Sequence, residues 1–479
     1  MPGFRMDAVR AWLWNGVEPL LYCILVFAPW AINSEPRSCE KTLLALETLF
    51  AIASILGKPE TRNRQSNPRL TPALKGFAIL GFLLLGYILV SAWNARAFAA
   101  IRLGGVEMQY REAILWLPHS YDQAATWKVF LELSMIGGLL YGTWRWIAFQ
   151  SREASQSRSR GNWPTGLNRL FWVLITSSSL MALEAIIQKL ANSNYLLFIY
   201  PRITFYGTLN GNSSLGPFPY QGSGSAYFNL MWPLTLGFWW QRRRRHWERT
   251  GVSPRFGSGS DAILPLCAGL MAVCPLITTS RTGVAICLIQ GFALLGVGSL
   301  GWRRVPNHLR WSLGGLVVLV AVFVAAVGWA PLIRKVKHVT QDRMGERLEI
   351  YAQVRKMIPD FDPWGAGPGS FPTVSNLYSD PTQTHWESMV HNDWMEARLS
   401  YGWVGYSLIL GLMGTWITGW WTMRTQLIPN GFGQFLGVSL GGFLLDARFD
   451  IPFRTHSLHS IFAILCVIAL YARRGISNG

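Results

Sequence analysis

Runs of apolar residues alternate with polar and basic connections along the whole chain. Most runs approach the roughly 20 residues that an α-helix needs to cross a hydrocarbon core of about 30 Å. The pattern predicts an all-α integral membrane protein with about twelve transmembrane helices, the second short enough to be re-entrant. The apolar runs lie near residues 17–33, 42–57, 73–93, 126–149, 169–190, 225–240, 261–279, 283–301, 311–332, 401–421, 433–447 and 456–472.

Arginines and lysines cluster in connections that all fall on one side of the membrane when the twelve spans alternate. Basic residues accumulate in cytoplasmic loops, so we expect this side, together with both termini, to be cytoplasmic. The clusters are Lys58/Arg62/Arg64/Arg69, Arg152/Arg158/Arg160, Arg242 to Arg245, Arg303/Arg304/Arg310 and Arg473/Arg474.

The composition excludes an ordinary soluble domain. Half of the 479 residues are hydrophobic, 24 are tryptophan and only 14% are charged, which is typical of multi-span membrane proteins. A net charge of +18 would suggest nucleic-acid binding in a soluble protein. Here the arginines lie between apolar runs, and membrane topology explains them. Only Cys39 of the six cysteines lies in a connection, so neither a disulfide framework nor a Cys/His metal cluster is predicted.

Four notable connections face the opposite, outer side of the membrane. They cover residues 94–125, 191–224, the short turn 278–281 and a long loop over 333–400. The long loop is predicted to be a small extracytoplasmic domain, because residues 346–358 carry apolar side chains at helical spacing among charges.

A glycine-rich turn follows that helix, with Gly365, Gly367 and Gly369 within five residues. Glycines permit positive φ angles and close backbone approach, so this turn could hold a phosphate through backbone N–H groups. It lacks the lysine and the strand–helix context of a P-loop, and a plain tight turn is the alternative interpretation.

A histidine, an amide and a carboxylate, His391-Asn392-Asp393, stand immediately before an apolar helix. Histidine is the side chain whose ordinary pKa lets it accept a proton near neutral pH. At the membrane surface His391 could activate a hydroxyl of a substrate held in the lipid. The alternative is a solvated residue at a helix start.

Arginines on the outer side indicate an anionic ligand. Arg281 lies between two closely spaced runs, Arg202 precedes a Gly/Asn/Ser-rich segment, and Arg347 lies at the start of the outer helix. A guanidinium group binds phosphate oxygens bidentately without a metal. Snorkelling of Arg281 to lipid headgroups is the alternative. His385 and His391 match no common zinc spacing, so no metal or other cofactor is predicted.

Three motifs follow one another on the outer side. Ser280-Arg281-Thr282-Gly283 lies between two spans, the stretch from Arg347 to Phe371 carries an R-x-x-x-Y step and the glycine turn, and His391-Asn392 precedes Gly402-Trp403-Val404-Gly405 by nine residues. In this order and spacing, residues 200–455 resemble the O-antigen ligase and polymerase family (Wzy_C) of bacterial membrane glycosyltransferases.

Further positions support or depart from the resemblance. Gly216-Pro217-Phe218 and Asp450-Ile451-Pro452 agree with it. The chain has Tyr220 and Gly222 where the family often has an Asn-x-Asn pair, and Ser400 where it often has glutamate.

The resemblance implies a GT-C-like helical enzyme of the bacterial inner membrane. Its donor would be a glycan on undecaprenyl diphosphate, its acceptor lipid A–core or another glycan or protein, and its chemistry inverting, without metal or nucleotide sugar. His391 would be the general base, Arg281 and Arg202 would hold the diphosphate, and Arg347 would assist. Asn392 and the glycine turn would be possible loop contacts.

The chain is thus expected to have three parts. Residues 1–200 form an N-terminal transmembrane scaffold, residues 201–455 the ligase-like region, and residues 456–479 the last transmembrane helix and a cytoplasmic tail. The long loop ahead of His391 favours a ligase over a polymerase.

Two hypotheses from other classes stay open. A solute transporter would suit about twelve spans, but the sequence shows no internal half-repeat and no paired charge within a span, Glu47 and Glu184 standing isolated. An inactive scaffold in an envelope-assembly complex is the other hypothesis.

Overall fold

The computed structural model describes residues 2–58, 71–102, 105–156, 164–193, 195–201, 214–250, 263–278, 280–301, 344–378, 389–422 and 431–471. The predicted run at 311–332, Arg202 and His385 lie outside these residues.

The first half of the chain is mainly long helices. Its elements are α1 (Pro2–Asn15), α2 (Val17–Trp30), α3 (Arg37–Leu56), α4 (Pro72–Trp93), β1 (Ala97–Arg102), β2 (Gly105–Tyr110), α5 (Gln123–Gln156), α6 (Thr165–Leu190), β3 (Tyr195–Leu196), β4 (Tyr200–Pro201) and α7 (Gln221–Thr250).

The second half continues in helices and short turns. Its α-helices are α8 (Ile263–Ile277), α9 (Arg281–Gly301), α10 (Met344–Met357), α11 (Phe371–Val374), α12 (Asp393–Thr422), α13 (Phe432–Asp446) and α14 (His456–Leu470). Short 3-10 turns occur at Ile32–Ser34, Ile358–Phe361, Ser375–Tyr378 and Pro452–Arg454.

Every predicted apolar run within the described residues coincides with a helix, as expected for segments that must satisfy their own backbone hydrogen bonds in lipid. Within that part of the chain, three helical stretches are long and apolar enough to cross a membrane: Met6–Trp30, Pro72–Trp93 and Thr165–Leu190. Four shorter apolar helices accompany them. The fold is that of a mainly helical membrane protein, whereas the number of twelve spans and their orientation stay predictions.

The all-α prediction needs one correction, because two small antiparallel hairpins occur on the predicted outer side. Strands β1 and β2 pair from Ala97 with Tyr110 to Arg102 with Gly105. Strands β3 and β4 pair over two residues each. Both hairpins lie in connections that the hydrophobic pattern left without an element.

Aromatic side chains fill the main core between the helices. Phe171 of α6 packs against Phe238 of α7 with ring centroids 5.5 Å apart, and against Phe432 of α13 at 5.1 Å. All three rings are fully buried. This contact joins α6 and α7 of the first half of the chain to α13 of the second half.

A second, smaller core lies in the loop between residues 333 and 400. The amphipathic helix predicted there is observed as α10, and it buries Val354 and Met357 with Phe361 and Phe371. Tyr121, just before α5, belongs to the same apolar cluster. The described part of the loop is therefore a packed unit seated on the neighbouring helices.

The glycine turn joins this unit to helix α12. Gly365, Gly367 and Gly369 all have positive φ angles, between 78° and 99°. The N–H of Ala366 donates to the Leu399 carbonyl at 3.0 Å, and the N–H of Gly367 to the Ser400 carbonyl at 3.0 Å. Since Gly365 N–H also donates within the protein, to the Phe361 carbonyl at 2.6 Å, the contacts are those of a tight turn.

Two glycines of α12 allow close contact with its surroundings. Gly402 breaks the helical geometry with φ 58° and ψ −167°, and a Cβ there would overlap the Pro363 carbonyl oxygen. A Cβ at Gly405 would lie 3.0 Å from the ring of Tyr87 on α4. The Tyr87 hydroxyl donates to the Tyr401 carbonyl at 3.0 Å. The Gly-x-x-Gly step thus serves close helix approach, as predicted.

One prediction about buried charge is wrong, because Glu47 is not isolated. Its carboxylate lies 2.7 Å from Nε2 of His456 on α14 and accepts from the Ser460 hydroxyl at 2.6 Å. Both partners of the pair are almost fully buried. The pattern missed the pair because its members are 409 residues apart.

The predicted orientation can be tested by cysteine labelling. Thr250→Cys at the end of α7 and Lys356→Cys on α10 place thiols at exposed positions. In a cysteine-free background, an impermeant thiol reagent should label position 356 and spare position 250 in intact spheroplasts. The opposite pattern would reverse the orientation, and permeabilised cells serve as the control in which both react.

Gly402→Ala should destabilise the protein, because the backbone angles of Gly402 are accessible almost only to glycine. We expect about 1–3 kcal/mol of lost stability from backbone strain alone, seen as a lower unfolding temperature in detergent. Gly414→Ala is the matched control on the same helix, since a Cβ there meets nothing within 4 Å. Equal unfolding temperatures for the two variants would contradict the structural role of Gly402.

Candidate active site

His391 lies at the start of α12 in a position fixed from both sides. The Asn392 side-chain oxygen accepts from the Met395 N–H at 3.1 Å and so caps the helix. Asp393 donates its N–H to the Ala447 carbonyl at 2.9 Å, and its carboxylate accepts from the Phe453 N–H at 2.9 Å. These bonds attach the beginning of α12 to the connection between α13 and α14.

The backbone of His391 is itself unusual. Its φ angle of 53° is left-handed, a conformation uncommon for residues other than glycine, though His, Asn and Asp are enriched in it. The Tyr351 hydroxyl of α10 donates to the His391 carbonyl at 2.9 Å. The outer helix thus helps to hold the strained residue, as expected where surrounding structure must maintain such a conformation.

Asp450 is the acidic neighbour of the imidazole. Nδ1 of His391 lies 3.4 Å from Oδ1 of Asp450. The side chain of Asp450 is only 4% exposed, whereas that of His391 is 23% exposed. The pair therefore has a buried carboxylate on the inside and an accessible imidazole on the outside.

Donors from other segments also converge on the Asp450 carboxyl group. The Tyr220 hydroxyl lies 2.8 Å from Oδ1 and 2.9 Å from Oδ2, and the Ile451 N–H donates to Oδ1 at 3.1 Å. A carboxyl oxygen that receives donors is best satisfied in the ionised form. When Nδ1 carries the proton and points to Asp450, the lone pair of Nε2 is free to take a proton.

Tyr220 acts in this group as a neutral donor. Burial, followed by the charge of Asp450, raises the pKa of the Tyr220 hydroxyl well above its ordinary value. The hydroxyl keeps its proton at physiological pH and cannot be the base. The ring centroid of His391 lies 6.2 Å from that of Tyr220.

Two predicted arginines lie around this group. Arg347 of α10 donates from Nη1 to the Phe449 carbonyl at 2.8 Å, next to Asp450, and its charge opposes the rise in the pKa of Tyr220. Arg281 begins α9 and is exposed. Arg202, the third, lies outside the described residues.

Helix α7 connects Arg281 to the histidine group. The Ser225 hydroxyl lies 3.1 Å from that of Thr278, three residues before Arg281. The Asn229 amide donates to the Gly283 carbonyl at 2.9 Å. Tyr220 immediately precedes the same first turns of α7, so Arg281 and the Tyr220–Asp450–His391 group flank one helix end.

The other residues predicted as possible substrate contacts, Asn392 and the three glycines of the turn, have structural roles. Asn392 is 1% exposed and caps α12. The N–H groups of Gly365 and Gly367 donate within the protein, and Gly369 packs against Ala125 and Val129. Whether they touch a substrate stays a prediction.

Sequence reasoning missed the functional meaning of Asp450 and Tyr220. Asp450 served only as weak support for the resemblance, and Tyr220 only as a departure from it. A signal for Asp450 existed, because it is an acidic residue between two apolar runs and falls on the same predicted side as His391. The Tyr220 contact spans 230 residues and has no local signature.

Comparison with known proteins gives one match. A search of curated proteins finds no relative of this chain. A family model described as O-antigen ligase matches residues 266–410, which include Arg281, Arg347, the glycine turn and His391. The resemblance predicted from the motifs is confirmed by this match. Residues 266 to 410 of the chain are therefore similar to the O-antigen ligase family.

Proposed function

We propose that the protein transfers a glycan from undecaprenyl diphosphate to an acceptor hydroxyl on the outer side of the bacterial inner membrane. The observation that carries the proposal is the imidazole of His391, backed by the buried Asp450 carboxylate and accessible on its other side. His391 lies within residues 266–410, the part of the chain that matches the O-antigen ligase model. The reaction class is group transfer with inversion, and it needs no metal.

The histidine acts as the general base. Nε2 takes the proton of the acceptor hydroxyl while the hydroxyl oxygen attacks the anomeric carbon of the donor. The bond from that carbon to the diphosphate oxygen breaks, and the diphosphate leaves with the electron pair. Attack opposite to the leaving group inverts the configuration. Asp450 stabilises the imidazolium that forms, and general-base assistance of this kind typically contributes about 10²–10⁴-fold.

The arginines act on the leaving group. Departure of the diphosphate concentrates negative charge on its oxygens, and preorganised guanidinium groups stabilise that charge. Arg281 is exposed at the start of α9, beside the first turns of α7 that follow Tyr220, and we assign it the diphosphate together with Arg202. Arg347 uses one N–H on Phe449 and retains further donors for an assisting contact.

A ligase acting on lipid A–core and a polymerase extending a carrier-linked glycan share this chemistry. The packed unit over α10 and α11 stands directly before His391, as in the ligase arrangement that the resemblance implies, and we propose the ligase. The assay for both uses purified protein, glycan on undecaprenyl diphosphate, and lipid A–core. Transfer to lipid A–core identifies a ligase, whereas lengthened glycan on the carrier identifies a polymerase.

His391→Ala should lower glycan transfer by at least the ~10²-fold typical of a lost general base. Binding of the carrier-linked glycan should persist, because the arginines remain. Transfer by the parent protein should rise with pH through one ionisation, since the base must be neutral to accept a proton.

His246→Ala is the matched control, because His246 is exposed near the cytoplasmic end of α7. It should transfer glycan at the parental rate. If His391→Ala transferred glycan at that rate with the parental pH profile, the general-base assignment would be wrong.

Arg281→Lys tests the leaving-group contact. The ammonium group keeps the charge but loses the fork of donors that matches two phosphate oxygens. We expect roughly tenfold or greater loss of transfer with normal membrane insertion. Arg355→Lys, on an exposed face of α10, should have no effect. If both Arg281→Lys and Arg281→Ala transferred glycan at the parental rate, Arg281 would only anchor the protein to lipid headgroups.

A further inference from the structure

The two departures from the family pattern at the start of α7, Tyr220 and Gly222, meet at one place in the structure. Tyr220 directs its hydroxyl to Asp450, and its ring lies against Gly222. A Cβ at Gly222 would overlap the Tyr220 ring and lie 2.5 Å from Oδ2 of Asp450. Residue 222 must therefore lack a side chain for the ring to occupy this space.

We propose that Tyr220 is the positioning residue that orients Asp450 toward His391, and that Gly222 provides the space that its ring requires. The two departures are then linked, because the Tyr220 phenol donates to the carboxylate behind His391 only where residue 222 has no side chain. The contact between Tyr220 and Asp450 does not depend on the proposed function. Its consequence for glycan transfer rests on that function.

The geometry restricts the Asp450 carboxylate strongly. The Tyr220 hydroxyl contacts both carboxyl oxygens, and the Ile451 N–H contacts Oδ1 from the adjacent backbone. Oδ1 is also the oxygen that faces His391 Nδ1, at 3.4 Å. Removing the phenol hydroxyl leaves more of the carboxylate's charge to act on the imidazole.

Other charged groups lie near the Tyr220–Asp450–His391 group. Asp450 and the buried Asp446 come from the α13–α14 connection and the end of α13. Glu396 lies on α12, where burial raises its pKa and the nearby Arg454 and His391 oppose that rise. Arg347 and Arg448 lie near Tyr351, whose hydroxyl bonds the His391 carbonyl. Tyr220→Phe alters none of these charges, so its effect isolates the missing hydroxyl.

The first test follows the proton affinity of His391 without an activity assay. The rate of carbethoxylation of His391, followed by mass spectrometry across pH in the full-length protein, reports the fraction of neutral imidazole. In Tyr220→Phe the less satisfied carboxylate favours the imidazolium, so the midpoint should move to higher pH by about one unit. In Asp450→Asn the midpoint should move to lower pH, because the negative charge is gone.

Tyr378→Phe is the matched control for this test. Tyr378 also donates to a carboxylate, that of Asp360 at 2.7 Å, in the same outer unit. Its loss should leave the His391 midpoint unchanged. A midpoint in Tyr220→Phe equal to that of the parent would overturn the inference.

Glycan transfer supplies the second measurement. The acid limb of the pH–rate profile of Tyr220→Phe should move with the carbethoxylation midpoint, whereas a merely structural role would lower the rate at all pH values alike. If the parent transferred no glycan while the midpoints moved as expected, the proposed function would fail and the positioning contact would stand. If the parent transferred glycan and the midpoint stayed fixed, the positioning contact alone would fail.

The link between the two positions is tested by a double-mutant cycle. With Tyr220 in place, Gly222→Ala should lower the unfolding temperature and shift the pH midpoint of His391 carbethoxylation, because the new methyl group overlaps the Tyr220 ring. In the Tyr220→Ala background the ring is absent, and the same substitution should have a much smaller effect. Gly441→Ala, where a Cβ meets nothing within 4 Å, is the control. Additive effects in the cycle would show that the positions are not linked.

Discussion

The structure of the candidate site depends on one buried charge, the carboxylate of Asp450. An ionised carboxylate is costly to remove from water unless donors surround it. Its donors come from separate parts of the chain: Tyr220 ahead of α7, Ile451 ahead of α14, and His391 ahead of α12. The hydrogen bonds to this carboxylate therefore bring together the segments that precede α7, α12 and α14. The arrangement leaves the imidazole of His391 partly exposed, as the proposed general base requires.

The outer unit keeps the histidine in that place. Its helix α10 contributes the Tyr351 hydroxyl bond to the His391 carbonyl, and its glycine turn is bonded to the backbone of α12 at Leu399 and Ser400. The break at Gly402 lets α12 pass from this unit into the bundle beside α4. The packing of the outer loop and the position of His391 therefore depend on each other.

Hydrophobic runs predicted nearly every helix in the described residues, because a membrane demands long apolar segments that bond their own backbone. The titratable residues before α12 likewise singled out His391 from local sequence. The contacts that complete the site could not be predicted this way. The bond from Tyr220 to Asp450 depends on how α7 packs near the α13–α14 connection, and no local period records that packing. Glu47 was taken as isolated for the same reason, since its partner His456 comes from the last helix.

The pair of Glu47 and His456 has a consequence for how the protein is made. Glu47 enters the membrane with the third helix, and 409 residues separate it from His456. At synthesis rates of 5–20 residues per second, about 20–80 s pass before the partner emerges. During that interval the carboxyl group must stay protonated or near water, because a bare charge in lipid is costly. The contact between α3 and α14 can therefore form only after α14 has been made.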